Sequence, residues 1–188
     1  MDPRIARTRA SLQEALFALA RERPLDDITV ADIADRAEVN RSTFYQHYSD
    51  KETLLADALD AVAEAAGAAL PERIQIGDEP PHVLTMFLEH FDENAELYRQ
   101  VLGRAGGVVV ARLSARIEAI VLDALPRADR ADRYDDGLPP DVIAAGVAGS
   151  ALGVLRAWLA RDPRPPVPVA VEWLWRILLG PQLDDRRG

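Results

Sequence analysis

The sequence predicts an all-α fold of about nine helices without a sheet. Apolar residues recur at helical spacing along nearly the whole chain, which is typical of amphipathic helices. Capping residues and prolines bound most of these segments, as expected at helix ends. The sequence lacks the strict alternation of apolar and polar residues, and the two-residue turns, that indicate antiparallel strands.

Three helices are predicted in the N-terminal part of the chain. The first spans residues 4–21 and presents leucines and alanines along one face. Thr29 is suited to cap a second helix at residues 30–37, because its hydroxyl can accept a hydrogen bond from a backbone N–H of the first turn. After a tight turn, Asn40 can cap a third helix at residues 41–48. Two short helices joined by so few residues indicate a helix-turn-helix.

The remaining helices follow clear start and stop signals. Ser49 and Glu52 match a capping box, which opens a long helix over residues 50–70. The charged segment 127–138 is predicted to be a surface loop. Further helices are predicted after Pro81, from Asn94 to Gly103, and over residues 107–125, 140–161 and 169–179.

The composition excludes several classes of function. The chain has no cysteine, so disulfides, thiol catalysis and thiolate metal sites are ruled out. Histidines occur only at positions 47, 82 and 90, and no nucleophile or phosphate-loop motif accompanies them. We therefore expect no enzyme, no catalytic residue, no cofactor and no metal. The alternative is that Glu89, His90 and Glu93 share a helix face and bind a metal, a spacing that also arises by chance.

No segment of the sequence reads as a secretory signal or a membrane anchor. Asp2 and three arginines interrupt any apolar region at the N-terminus. The longest apolar run, residues 142–155, is shorter than the ~20 residues needed to span a bilayer. We therefore expect a soluble protein without a membrane partner.

The charge of the chain is unevenly distributed. The formal net charge is −9, which alone argues against binding to phosphate backbones. Through Lys51, however, eight basic residues nearly balance nine acidic ones, so almost all the excess negative charge lies further along the chain. The N-terminal part is therefore a separate electrostatic region.

The third predicted helix divides into two faces when its residues are placed at helical spacing. Phe44 and Tyr48 lie on the inward face, where they can pack in a small core. The outward arc carries hydrogen-bonding side chains at Arg41, Ser42, Tyr45 and Gln46. Such an arc can enter a major groove, where arginine pairs with guanine and glutamine with adenine.

These residues carry a family resemblance. The segment ITVADIADRAEVNRSTFYQHYSDKETLL, from Ile28 to Leu55, resembles the DNA-binding segment of the tetracycline-repressor (TetR) family of bacterial regulators. The resemblance implies a helix-turn-helix DNA-binding domain at residues 1–49, with the motif at about 29–48, and a helical ligand-binding and dimerisation domain at residues 50–188. It also implies a cytoplasmic homodimer that binds a palindromic operator on double-stranded DNA, represses transcription, and is released by a small-molecule effector.

The resemblance also assigns roles to individual positions. Bases would be read or flanked by Arg41, Ser42, Thr43 and Gln46, and phosphates would be contacted by Tyr45, His47 and Lys51, with Thr29 meeting the DNA backbone. A solvated or capping role for His47 remains the alternative. The arginines at positions 4, 7 and 9 could form either a solvated chain end or an arm that follows the DNA.

One position departs from the family pattern. The turn after Ala37 commonly carries glycine in the family, and this chain has Glu38. If the turn needs a positive φ, glutamate costs roughly 1 kcal/mol there. Its negative charge would also repel phosphate.

The C-terminal helices suggest a dimer interface. The helix over 140–161 is apolar on nearly every side, which predicts burial on every side, and glycines would let a second helix approach closely. Two helices from each chain could then form a four-helix bundle across a two-fold axis, using Val142, Gly146, Gly149, Gly153, Val169, Trp173 and Ile177. The alternative is that these two helices form the core of a monomer.

Two further questions stay open at the level of sequence. A small-molecule pocket could be lined by Phe87, His90, Tyr98 and Trp158, although such residues commonly belong to the core or face water. A helical scaffold protein that does not bind DNA is the alternative function. It would explain the acidity of the chain but not the outward arc.

Overall fold

A computed structural model describes residues 3–70, 79–103, 107–127 and 137–179 of the chain. Within these ranges it contains nine α-helices, two short 3-10 helices and no strand, which confirms the predicted all-α fold. The α-helices are α1 (Pro3–Glu22), α2 (Val30–Arg36), α3 (Arg41–His47), α4 (Lys51–Ala68), α5 (His82–Glu93), α6 (Ala95–Gly103), α7 (Val108–Ala124), α8 (Pro140–Leu159) and α9 (Val167–Leu179). The 3-10 helices are Leu25–Asp27 and Leu125–Arg127.

The N-terminal caps largely follow the sequence signals. Thr29 and Asp32 form a complete capping box at the start of α2. The side chain of Asn40 accepts a hydrogen bond from the backbone N–H of Thr43 and caps α3. The predicted cap of α4 was one residue off, because Asp50 accepts the N–H of Thr53 at 2.7 Å and thereby takes the capping position. Most of the predicted loop at 127–138 lies outside the described residues.

The chain divides into two compact units, each made of two separate segments. The first unit contains Met1–Val62 together with Glu93–Leu113. Its core is built from α1 to α4 and includes the fully buried side chains of Leu16, Ile33, Phe44 and Leu55. The helix α6 packs on α1 within this unit, where the ring of Tyr98 lies 6.4 Å from that of Phe17.

The second unit contains Ala63–Asp92 and Ser114–Gly188. In it α8 packs against α9, and Trp158 is fully buried with its indole N–H donating to the carbonyl of Pro165 at 2.7 Å. The prediction that α8 is buried on every side is wrong for the single chain, because a stripe along α8 is exposed. Of the described helices, α8 alone has the length and apolarity of a membrane span, a property that core helices share.

Candidate nucleic-acid interface

The start of α3 is fixed by the turn that precedes it. Glu38 has φ 55°, and the N–H of Val39 donates to the carbonyl of Ala34 at 3.0 Å, so the chain reverses within two residues. The side-chain oxygen of Asn40 then accepts three hydrogen bonds, from the backbone N–H of Thr43 at 2.8 Å and from the hydroxyls of Ser42 and Thr43. This capping cluster orders the first turn of α3.

The two faces of α3 are those that the sequence predicts. Arg41, Ser42, Tyr45 and Gln46 are exposed, and the side chain of Tyr45 keeps 53% of its accessible surface. Phe44 is fully buried, and its ring packs edge-on against that of Tyr45, with 5.5 Å between centroids. The buried ring thus packs against the exposed one. The outward arc is a set of polar groups on a helix anchored by one aromatic side chain.

The other predicted contact residues are either less exposed than the outward arc or already hydrogen-bonded within the protein. Thr43 and His47 are half-buried, and the ring of His47 lies near that of Tyr48. Thr29 is exposed, but its hydroxyl donates to Asp32 at 2.7 Å and accepts the Asp32 N–H at 3.2 Å. The structure therefore places Thr29 primarily as a helix cap.

Lys51 has a structural role that the sequence did not reveal. Its ammonium donates to the backbone carbonyl of Leu25 at 2.6 Å and to that of Ile28 at 2.9 Å. The carbonyl of Asp26 lies 3.4 Å away, so three acceptors surround one ammonium. Lysine has three N–H donors, so these carbonyls can use all of them. Lys51 thereby ties the first turn of α4 to the loop between α1 and α2.

A polar network links α1, the end of α3 and α4. The carboxylate of Asp57 accepts hydrogen bonds from the guanidinium of Arg9, from the hydroxyl of Tyr48 at 2.6 Å and from the amide of Gln13 at 2.8 Å. Arg9 therefore belongs to this network and is neither a solvated end nor a free arm. Arg4 and Arg7 are both exposed.

The network shifts the ionisation of its members. Burial alone would raise the pKa of Asp57, but hydrogen bonds from Tyr48, Arg9 and Gln13 outweigh it, so the pKa lies below its ordinary value. Burial and the hydrogen bond to Asp57 raise the pKa of Tyr48 to about 12. At neutral pH the network therefore holds an ionised Asp57 and a protonated Tyr48.

The second unit contains an apolar cavity of about 230 Å³ that is partly open to solvent. Helices α4, α5, α7, α8 and α9 all contribute to its wall, including Ala66, Phe87, Ile120, Val147 and Trp175. Of the four predicted pocket residues, only Phe87 lines this cavity. The other three lie elsewhere, with Tyr98 in the core of the first unit, Trp158 in the core of the second, and His90 beside the ring of Phe91.

The predicted interface residues form two exposed or half-exposed stripes. On α8, Val142 keeps 49% of its surface, and Gly146, Gly149 and Gly153 follow it on the same side. A methyl group added at any of these glycines would meet no atom within 4 Å. On α9, Ile177 is exposed and Val169 and Trp173 are half-buried. Among the described residues, no group of three His, Asp or Glu side chains is placed to hold a metal, Glu89, His90 and Glu93 included.

Comparison with protein families supplies the deciding observation. Residues 12–58 match the model of the bacterial regulatory proteins of the tetR family, and this segment contains the whole turn, α3 and the Asp57 network except Arg9. Residues 12–58 are a DNA-binding segment of the TetR family. TetR-family proteins are DNA-binding transcriptional regulators with a helix-turn-helix.

Relatives agree with this assignment. A Bacillus subtilis protein named as an uncharacterised helix-turn-helix transcriptional regulator, YxbF, is 38% identical over 61 residues, which are 32% of this chain and 16% of that protein. The match thus spans about a sixth of the length of this curated relative.

Two solved TetR-like structures share the fold along most of the chain. The dihydroxyacetone kinase operon activator DhaS superposes with a TM-score of 0.67 at 18% identity, over 92% of this chain and 94% of that one. The TetR-family repressor FadR of Thermus thermophilus, in complex with lauroyl-CoA, gives 0.60 at 22% identity, over 91% and 93%. At these identities the likeness establishes the fold.

Some TetR-domain features had a sequence signal that could have been used. Asp57 is a charged residue at an otherwise apolar stretch of α4, between Leu54 and Leu59, and an acid at such a position needs a buried partner. The cavity had no comparable signal, since its lining residues are the same types that fill a core.

Proposed function

We propose that this TetR-family protein is a repressor that binds a near-palindromic operator as a homodimer and is released by a small-molecule effector. Residues 1–49 would read DNA, and residues 50–188 would bind the effector and form the dimer, in the bacterial cytoplasm. The observation that carries the proposal is the exposed polar arc of α3, held on the buried side chain of Phe44.

The arc has the side-chain chemistry for reading a major groove. Arg41 and Gln46 are exposed and can make paired hydrogen bonds to guanine and adenine. The hydroxyl of Tyr45 can donate a hydrogen bond to a phosphate, and His47 is the second predicted phosphate contact on α3. The hydroxyls of Ser42 and Thr43 already donate to Asn40. They can therefore contact DNA as hydrogen-bond acceptors, or as donors after releasing Asn40. Lys51 occupies a phosphate position in the family pattern while its ammonium is held by carbonyls.

A homodimer formed through α8 and α9 would bring two recognition helices to the operator. One recognition helix reads only a few base pairs, whereas two held ~34 Å apart read successive major grooves. The stripe of Val142 and the three glycines on α8 is apolar, flat and open, as close helix packing requires. Doubling the contacts would also offset the acidic charge of the chain.

The cavity supports a ligand response. Its wall includes the last turns of α4, a helix that begins four residues after the end of α3. A ligand that favours one position of α4 would change operator affinity by its differential affinity for the two states, typically about 1–3 kcal/mol. The bound lauroyl-CoA in Thermus thermophilus FadR is an example of a ligand in a protein of the same fold.

The decisive experiment is a footprint of the purified protein on DNA upstream of its own gene, over a series of salt concentrations. We expect a protected near-palindrome whose affinity falls steeply with salt. Transcription from that DNA in a purified system should fall when the protein is added. Absence of any protected palindrome at low salt would contradict DNA binding, and a rise in transcription would contradict repression.

Two variants of α3 test the assignment of roles. Tyr45→Phe should weaken binding to all sequences alike, because a phosphate contact carries no base information. Gln46→Ala should relax the preference at one operator position at a cost of about 1–3 kcal/mol. Equal loss of sequence preference in both variants would refute this division.

A further inference from the structure

The cavity of the second unit is almost wholly apolar. Its described lining consists of alanine, glycine, valine, leucine, isoleucine, proline, phenylalanine and tryptophan. Of these side chains none is charged, and only the indole N–H of Trp175 can form a hydrogen bond. The backbone facing the cavity is largely helical, so most of its polar groups are already paired.

Charged residues that neighbour the lining in the sequence are absent from the lining itself. Arg116 of α7 pairs with Glu64 of α4 at 3.2 Å, and the side chain of Glu64 is largely exposed. The described part of the wall therefore offers no counter-ion to a charged ligand.

A ligand in such a cavity must leave water and can gain at most one side-chain donor, the indole N–H of Trp175. A charged group buried without a partner is strongly disfavoured, and each unpaired hydroxyl weakens binding by roughly tenfold or more. The volume also limits size, since an apolar cavity of about 150 Å³ in another protein holds benzene. A cavity of about 230 Å³ scales to on the order of ten non-hydrogen atoms.

We infer that the effector, or the part of it that enters this cavity, is an uncharged hydrocarbon-like group of that size. The cavity therefore selects against carboxylates, ammonium ions and polyhydroxylated rings. The role of this ligand as effector rests on the proposed function, whereas the binding preference depends on the lining of the cavity.

The test uses three probes of the same shape and the same number of non-hydrogen atoms. In n-butylbenzene the chain ends in a methyl group, in 3-phenylpropan-1-ol in a hydroxyl, and in 3-phenylpropylammonium in a positive charge. Titration calorimetry and thermal shift with the full chain should show n-butylbenzene binding most tightly. The alcohol should bind about tenfold more weakly, and the ammonium ion at least about a hundredfold more weakly.

Variants locate the binding. Ala66→Leu should fill the cavity from α4 and abolish binding of n-butylbenzene, and Ala151→Leu should do the same from α8. The control is Ala65→Leu, which makes the same change on the adjacent exposed position and should bind as the original chain does. Unchanged affinity in two folded cavity variants would overturn the inference, as would an alcohol or ammonium probe that binds as tightly as the hydrocarbon.

The result is separable from the proposed repressor function. Hydrocarbon binding without release of the protected operator would support the ligand class and contradict the effector role of the cavity. Release of the operator by a charged compound, with no hydrocarbon binding, would overturn the ligand class. It would not contradict the proposed repressor function.

Discussion

Glu38 is held in a backbone conformation that most residues avoid. Its φ of 55° lies in the left-handed region, and its N–H donates to the carbonyl of Asp35 at 3.2 Å. A side chain there is strained, whereas glycine is not. This turn sets the direction of α3, so the strained backbone of Glu38 and its negative charge both lie close to the outward arc.

Replacing Glu38 by glycine should stabilise the chain by about 1 kcal/mol, because the strain of the positive φ is relieved. It should also raise DNA affinity, because an anion next to the groove is removed. Urea denaturation measures the first effect and operator titration at several salt concentrations the second.

The control variant Glu38→Gln separates the two causes. It removes the charge but keeps a side chain at positive φ, so affinity should rise without the gain in stability. An equal gain in stability for both variants would contradict the backbone explanation.

Asp57 joins three elements through one carboxylate. It accepts hydrogen bonds from Arg9, Tyr48 and Gln13, and these lower its pKa. A carboxylate with a lowered folded-state pKa contributes stability above its unfolded pKa and loses that contribution as the pH falls through the folded value. The first unit should therefore weaken as the pH falls below about 4, the ordinary carboxyl pKa of an unfolded chain.

The variant Asp57→Asn should lose about 1–3 kcal/mol of stability at neutral pH, because charge-assisted hydrogen bonds are lost. Its stability should then change less than that of the original chain between about pH 7 and about pH 3. Chemical denaturation across this range is the measurement. Asp60→Asn is the matched control, since within the described part of the chain Asp60 pairs with Arg112 alone, and Asp60 is more exposed than Asp57. It should have a smaller effect.

The start of α4 is secured by side chains of α4 and the residue before it. Asp50 caps the helix, and one residue later Lys51 binds the carbonyls of Leu25 and Ile28. The loop between α1 and α2 is thus fixed to the helix that follows α3.

The variant Lys51→Met should lower stability by about 1–3 kcal/mol, since buried carbonyls lose their donor. We expect the salt dependence of DNA binding to stay unchanged, because the ammonium is already satisfied. Operator titrations over a salt series test this. A slope reduced by about one would show that Lys51 contacts a phosphate, as the family pattern implies.

Local features could be predicted from the sequence and non-local ones could not. The helices, the caps at Thr29 and Asn40 and the two faces of α3 depend on neighbours within a few residues, and spacing reveals them. The Asp57 network joins residues separated by up to 48 positions, and Lys51 reaches back 26. The cavity depends on how five helices pack, so only Phe87 among its lining residues was predicted.

In the single chain, α8 presents an apolar stripe of glycines and Val142 to solvent. A helix this apolar is expected to be covered on both sides, and its other side already packs against α9. A second copy of the chain would cover the exposed side. Symmetry would then fix the spacing of the two recognition helices.

The variant Gly149→Glu should convert a dimer to a monomer, because a buried charge would lie at the centre of the interface. The fold of the single chain should persist, since an added side chain meets no atom within 4 Å. Sedimentation at micromolar concentration and circular dichroism measure the two effects. Ala119→Glu on the exposed side of α7 is the control and should leave the assembly unchanged. A stable monomer of the original chain would contradict the dimer.

The exposed stripe on α8 has a consequence for the lifetime of the protein in the cell. In the proposed dimer, a newly made chain would present this apolar surface until it met a second copy, and surfaces of this kind are what chaperones and proteases act on. Unassembled copies should therefore be cleared faster than assembled ones. Cellular turnover would then set a lower limit on the rate of synthesis at which any operator can be occupied.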